Sequence, residues 1–125
     1  MMKKILPLLL LPLLLSGCTA TFTNLTPHQQ LRNPNNLYQV EVAFNSREQA
    51  LRWKSIKPQI VIGGETYPMK QTVLMNNRWE GLVPVPAGKA SVHYHYKFDF
   101  ESNGFGKPIP NSTSSPEYLL RIVGE

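Results

Sequence analysis

Between Ala90 and Glu101 the chain alternates without a break. Val92, Tyr94, Tyr96, Phe98 and Phe100 fall on one side, and Ser91, His93, His95, Lys97, Asp99 and Glu101 on the other. A period of two is that of an extended strand, whose successive side chains point to opposite faces. A row of large aromatics on one side needs a thick apolar layer to receive it, while the other side is fit for water. Such a strand is one wall of a core between two sheets.

The same period recurs along the chain. Tyr38, Val40, Val42 and Phe44 alternate with Gln39, Glu41 and Ala43, as in a half-buried strand. Ile60-Val61-Ile62, Gly63-Gly64 and Glu65-Thr66-Tyr67 read as a hairpin, because paired glycines supply the positive φ that tight turns need. Thr72–Met75, Asn76-Asn77 and Arg78–Val85 read as a second hairpin, with Pro84 and Pro86 at a sheet edge where a missing N–H is tolerated. Tyr118–Val123 reads as a final strand and Thr21–Leu25 as a possible first one. Ser46-Arg47-Glu48-Gln49 fits a helix capping box, but Leu51 and Trp53 also fit a strand, and a strand or irregular crossover is the preferred reading. About seven short strands in about 100 residues indicate an all-β, two-sheet β-sandwich.

Ahead of the strands lies a segment of another kind. Met1-Met2-Lys3-Lys4 is positive, Ile5–Leu15 is an apolar run of eleven residues, and Ser16-Gly17 are small. This is the layout of a secretory signal peptide. The apolar run is about half of the ~20 residues a membrane-spanning helix needs, and Pro7 and Pro12 weaken it further as a helix. Leu15-Ser16-Gly17-Cys18 resembles the lipobox of bacterial lipoproteins at all four positions. The resemblance implies cleavage between Gly17 and Cys18, and a diacylglyceryl thioether on Cys18 that holds the chain to a membrane. Thr19 follows the cysteine where an aspartate would favour retention, which in similar Gram-negative lipoproteins implies an exported chain lodged in the outer membrane. The expected organisation is a signal peptide at 1–17, a lipidated N-terminus with a possible strand and spacer at 18–36, and a sandwich domain at 37–125.

Cleavage changes what composition allows. Removing 17 residues from 125 leaves 108, enough for one domain. Without Lys3 and Lys4 the Lys+Arg count falls from 13 to 11 against 8 acids, a net charge of +3. The cations are dispersed, with no basic block interleaved with aromatics, so nucleic acid is not an expected partner. Cys18 is the only cysteine. With its sulfur in a thioether, no disulfide braces the domain, and packing alone must hold the core.

Arg78-Trp79-Glu80-Gly81 through Pro86-Ala87-Gly88, followed by Tyr94-His95-Tyr96-Lys97, resembles the end of an immunoglobulin-like early-set domain. That group includes glycogen-binding-type modules. The resemblance spans about a quarter of the mature chain and implies an immunoglobulin-like sandwich. The paired tryptophans of the sugar platform have no match upstream, so no sugar-binding residue is carried over.

Candidate chemistry is sparse. His93 and His95 share one strand face and are weak candidates for a metal. A site needs three or four converging ligands, and the ordinary reading is a solvated face, so no metal or other cofactor is expected. There is no Gly-x-Ser-x-Gly elbow, no free thiol once Cys18 is lipidated, and nothing in the spacing of Glu80, Asp99, Glu101 and Glu117 that pairs two carboxylates. Catalysis is not expected. Trp79 sits where a sandwich places a core tryptophan, whereas Trp53, between Arg52 and Lys54, is as fit for an exposed platform as for the core. Ser102–Pro116 reads as a long loop rich in Gly, Pro, Ser and Asn. Within it Phe105 and Ile109 either pin the loop to the sandwich, the preferred reading, or meet a partner.

The expectation is a non-enzymatic, membrane-anchored envelope lipoprotein acting as a structural or protein-interaction module. The alternative is a carbohydrate-binding module that takes a glycan at Trp53.

Overall fold

The computed structural model describes residues 20–47 and 50–124. The signal segment with Gly17 and Cys18, and Glu48 and Gln49 of the capping pattern, lie outside the described residues. Among the described residues ten strands run in order: β1 (Ala20–Asn24), β2 (Gln29–Leu31), β3 (Leu37–Ser46), β4 (Leu51–Ile62), β5 (Glu65–Pro68), β6 (Lys70–Gln71), β7 (Arg78–Pro84), β8 (Ser91–Ser102), β9 (Ile109–Ser114) and β10 (Tyr118–Val123). They form two sheets, ordered β1-β3-β7-β6 and β2-β10-β8-β4-β5, with β9 also paired to β8. The expected all-β, two-sheet sandwich is the observed architecture, built from more strands than the sequence pattern suggests. The region expected to hold a first strand and a spacer supplies β1, paired with β3, and β2, paired in parallel with β10.

The alternation in β8 holds at every position. Val92, Tyr94, Tyr96, Phe98 and Phe100 are buried, and their polar neighbours face outward. Opposite them, β3 contributes Tyr38, Val40, Val42 and Phe44, and β7 contributes Trp79 and Val83. Phe98 is the hub: its ring centroid lies 5.1 Å from Phe22, 5.0 Å from Phe44 and 5.2 Å from Trp79. One ring of the second sheet thus touches β1, β3 and β7 of the first.

Turn chemistry accounts for most of the connections. Gly63 takes φ 59° between β4 and β5, as the glycine pair requires. At Pro84 the chain pairs with Leu37 on one side, while β6 reaches only Glu80 and Trp79 on the other. The proline nitrogen therefore faces an unpaired edge. Between β3 and β4 only residues 47–50 intervene, and Leu51 and Trp53 lie on β4, as the strand reading has it.

Two sequence expectations are corrected. Thr72–Met75 is a turn, closed by Met75 N–H donating to the Thr72 carbonyl at 3.0 Å and Thr72 N–H donating to the Arg78 carbonyl at 2.9 Å. Val73 and Leu74 protrude from it, with Leu74 in the left-handed region at φ 66°. The stretch at 102–116, expected as one long loop, contains a strand. β9 pairs residue by residue with β8 from Ser102↔Ile109 to Lys97↔Ser114, leaving a turn at 103–108. β9 and β10 lie along the same side of β8, and Ser115 joins them. Its N–H donates to the Tyr96 carbonyl and its hydroxyl accepts from the Tyr96 N–H, both at 2.9 Å.

A small polar network crosses the apolar core. Tyr96 Oη donates to Asn24 Oδ1 at 2.7 Å, and Asn24 Nδ2 donates to Tyr94 Oη at 2.9 Å. Thr26 Oγ1 accepts from Glu41 N–H at 2.8 Å and lies 3.2 Å from Tyr96 Oη. Burial holds the Tyr96 phenol far above its ordinary range, and Tyr118 is raised by burial as well. A tyrosine whose folded pKa exceeds its unfolded value of about 10 stabilises fully below that pH and loses the contribution as pH rises above it. Tyr96→Phe is therefore expected to cost about 1–2 kcal/mol near neutrality, by leaving buried acceptors short of a donor. It should also shrink the loss of stability above about pH 10. Urea titrations at several pH values test this, and parallel wild-type and variant curves through the alkaline limb would remove Tyr96 as its source.

Candidate functional site

A broad concavity lies where the two sheets part, beside the start of β4. It arises from an irregularity in that strand. Arg52 pairs with Glu101 and Lys57 with Asp99, so the four residues from Trp53 to Ile56 stand against Phe100 alone. Ser55 stabilises the bulge. Its hydroxyl donates to the Arg52 carbonyl at 2.6 Å and accepts from the Glu101 N–H at 2.8 Å. Bulges re-aim side chains relative to the regular pleat. Here the result is that Trp53 packs edge-on against Phe44, ring centroids 6.0 Å apart, and stays 39% exposed.

The groove beside Trp53 encloses about 950 Å³. Trp53, Ile56, Pro58, Met69 and the rim of buried Trp79 give it an apolar floor, and Asn45, Gln71, Asn76 and Asn77 bring carboxamides. Asn77 Nδ2 donates to Asn45 Oδ1 at 3.2 Å, and Gln71 Nε2 donates to the Asn76 carbonyl at 2.8 Å. Among the described residues Lys54 is the one ionisable group on the lining. A carboxamide both donates and accepts, and an aromatic face accepts apolar C–H surface. The combination suits a neutral, hydroxyl-bearing ligand better than an anion or a metal. Sequence reasoning reached Trp53 but not the carboxamides, which come from β3, β6 and the following turn and meet only in the fold.

The other candidates do not converge on this groove. His93 is exposed on the outer face of β8, and His95 Nδ1 lies 3.9 Å from Glu117 Oε2. No group of three His, Cys, Asp or Glu residues able to hold a metal occurs among the described residues. Each of the four carboxylates has its own neighbour, though Asp99 and Glu101 share one face of β8. Glu80 accepts from the Thr72 hydroxyl at 3.3 Å, and Glu101 lies 3.7 Å from Arg52. Asp99 accepts from Gln59 Nε2 at 2.8 Å, and that bond, aided by Lys97, holds its pKa below the ordinary value. Trp79 is buried, as its position implies.

Phe105 and Ile109 depart from the preferred reading. Phe105 is fully exposed at the tip of the β8–β9 turn and pins nothing to the sandwich. Ile109 is half exposed and closes over Gly104, where a side chain would bring a Cβ to 2.5 Å from Ile109 Cδ1. It therefore steadies its own turn. The physical reason is that β9 sits at a sheet edge, held by backbone pairing to β8 without burial of its side chains.

No family model matches the chain, and no curated protein matches it by sequence. Among solved structures, a DUF4785 family protein from Legionella pneumophila aligns with a TM-score of 0.45 and 11% identity over 86% of this chain. The aligned region is 29% of that protein, so the present chain spans less than a third of its length. Murine CRIg aligns with a TM-score of 0.44 and 10% identity, over 83% of this chain and 99% of that one.

Proposed function

We propose that this protein is a lipid-anchored, non-enzymatic interaction module of the bacterial cell envelope. The observation that supports it best is the position of β1. Ala20, two residues past Cys18, already pairs with Ser46, and the pairing continues to Asn24↔Val42. A lipid on Cys18 then tethers the sandwich directly, without a flexible stalk. Export, placement in the outer membrane and a protein partner in the envelope belong to the same reading. The sheet edges at β1, β5 and β9 carry backbone donors and acceptors that a partner strand can take up.

The groove at Trp53 favours a second reading, a module that binds a neutral glycan. The two separate experimentally. Co-purification of a stoichiometric envelope protein from detergent-solubilised membranes is expected for the interaction module. Empty co-purification, together with glycan-array binding that Trp53→Ala abolishes, overturns it in favour of the second. Loss of a stacked aromatic face is expected to weaken glycan binding about tenfold or more.

A further inference from the structure

Both ends of the sandwich expose apolar side chains, Leu31 and Leu37 at one and a set of turn tips at the other. The register places the start of β1 beside the end of β3, at Ala20↔Ser46, and the start of β7 beside it, at Ala43↔Arg78. In the second sheet the start of β4 and the end of β8 meet at Leu51↔Ser102, with Ile109 of β9 alongside. The short connection at 47–50 joins β3 to β4, so all these termini belong to one end of the domain. The turns before β7 and between β8 and β9 project from it.

At this end the turn tips are apolar. Val73, Leu74 and Phe105 are 80%, 96% and fully exposed, and Ile109 flanks them. Turn tips are ordinarily occupied by Gly, Asn, Asp, Ser or Pro. Leu74 moreover adopts φ 66°, a conformation that leucine rarely takes. A strained, solvent-facing leucine gains nothing from the fold itself and is accounted for by something that receives it from outside. The same end carries Arg47, Lys54 and Lys107, all exposed, and Arg78 at the start of β7. Glu101, the last acid on β8, is already close to Arg52. Apolar tips with cations at the same end match the boundary between acyl chains and anionic headgroups.

The position of the chain entry chooses the occupant. Two residues span at most about 7 Å, so a lipid on Cys18 enters the bilayer beside Ala20, at this same end. We propose that the Val73-Leu74 turn and the Phe105 turn seat in the membrane leaflet that holds the Cys18 lipid, so that the sandwich stands in a fixed orientation on the bilayer. This rests on the anchored reading above and adds an orientation to it.

The test uses the lipidated mature chain in vesicles of phosphatidylcholine and phosphatidylglycerol. With Cys18 in a thioether, Leu74→Cys, Phe105→Cys and Ala87→Cys each offer a single thiol for an environment-sensitive nitrobenzoxadiazole label. Ala87 lies in the exposed turn between β7 and β8, at the opposite end. Labels at 74 and 105 are expected to shift to the blue and to be quenched by lipids carrying a nitroxide on the acyl chain, while the label at 87 is not. Equal quenching at the three positions, on a chain that floats with the vesicles, overturns the orientation and leaves the anchor standing. A blue shift at 74 and 105 without lipid quenching overturns it in favour of a protein contact, a second copy included. A mature chain that does not float overturns the anchored reading and this inference together.

Discussion

Phe98→Ala is expected to remove about 3–5 kcal/mol of stability, the range for truncating a buried phenylalanine in a packed core. Phe98 is completely buried and stands within about 5 Å of Phe22, Phe44 and Trp79, ring centre to ring centre. Those neighbours sit on three strands of the opposite sheet, each fixed by its own ladder, so the space left behind has few ways to collapse. A domain of this size has about 5–15 kcal/mol in all, and with Cys18 as the only cysteine no disulfide within the chain braces it. The substitution should bring the sandwich close to unfolding at ambient temperature. Urea titration followed by tryptophan fluorescence reads the effect as a lower midpoint at an unchanged slope. Phe105→Ala, at a fully exposed tip, should stay within about 0.5 kcal/mol of wild type. If Phe98→Ala loses no more than Phe105→Ala does, the packing described around Phe98 is wrong.

What the sequence discloses about this fold is what burial imprints on it. β8 and β3 alternate in composition because one face of each is buried, and β10 is marked by its apolar run, so these strands are legible. β9 carries Ile-Pro-Asn-Ser-Thr-Ser and is exposed almost throughout. Its strand conformation comes from hydrogen bonds to the long β8, which leave no trace in side-chain polarity, so it resembled a loop. The reverse held at Thr72–Met75, where an apolar run without a buried face looked like a strand and forms a turn. At Trp53 the bulge between Arg52 and Lys57 breaks the parity that would have said inside or outside. Half of the candidate groove was hidden for a further reason. Asn45, Gln71, Asn76 and Asn77 are ordinary polar residues until the join of the two sheets sets them around one tryptophan.

Cys18→Ser is expected to abolish lipid attachment completely while leaving the sandwich folded. In the proposed anchoring the sulfur accepts the diacylglyceryl group, and a serine hydroxyl does not replace a thiolate as the nucleophile in that transfer. The energetic consequence is large, because each buried methylene contributes about 0.8 kcal/mol and two or more acyl chains make attachment durable. The fold should not respond. Among the described residues the core draws on side chains from Ala20 onward, and the first strand pair is Ala20↔Ser46. Fractionation combined with intact-mass measurement reads both parts. Wild type is expected in the membrane fraction at the mass of residues 18–125 plus lipid. The variant should carry no lipid, and it should either retain the first seventeen residues or appear in the soluble fraction, with an unchanged urea midpoint. The apolar run at Ile5–Leu15 makes the mass indispensable, because an uncleaved signal segment can itself hold a precursor to the membrane. A Cys18→Ser chain found in the membrane fraction at the wild-type mature mass would show that the tether is not on this residue. The fixed stance on the bilayer would lose its footing with it, since that orientation follows from a lipid entering beside Ala20.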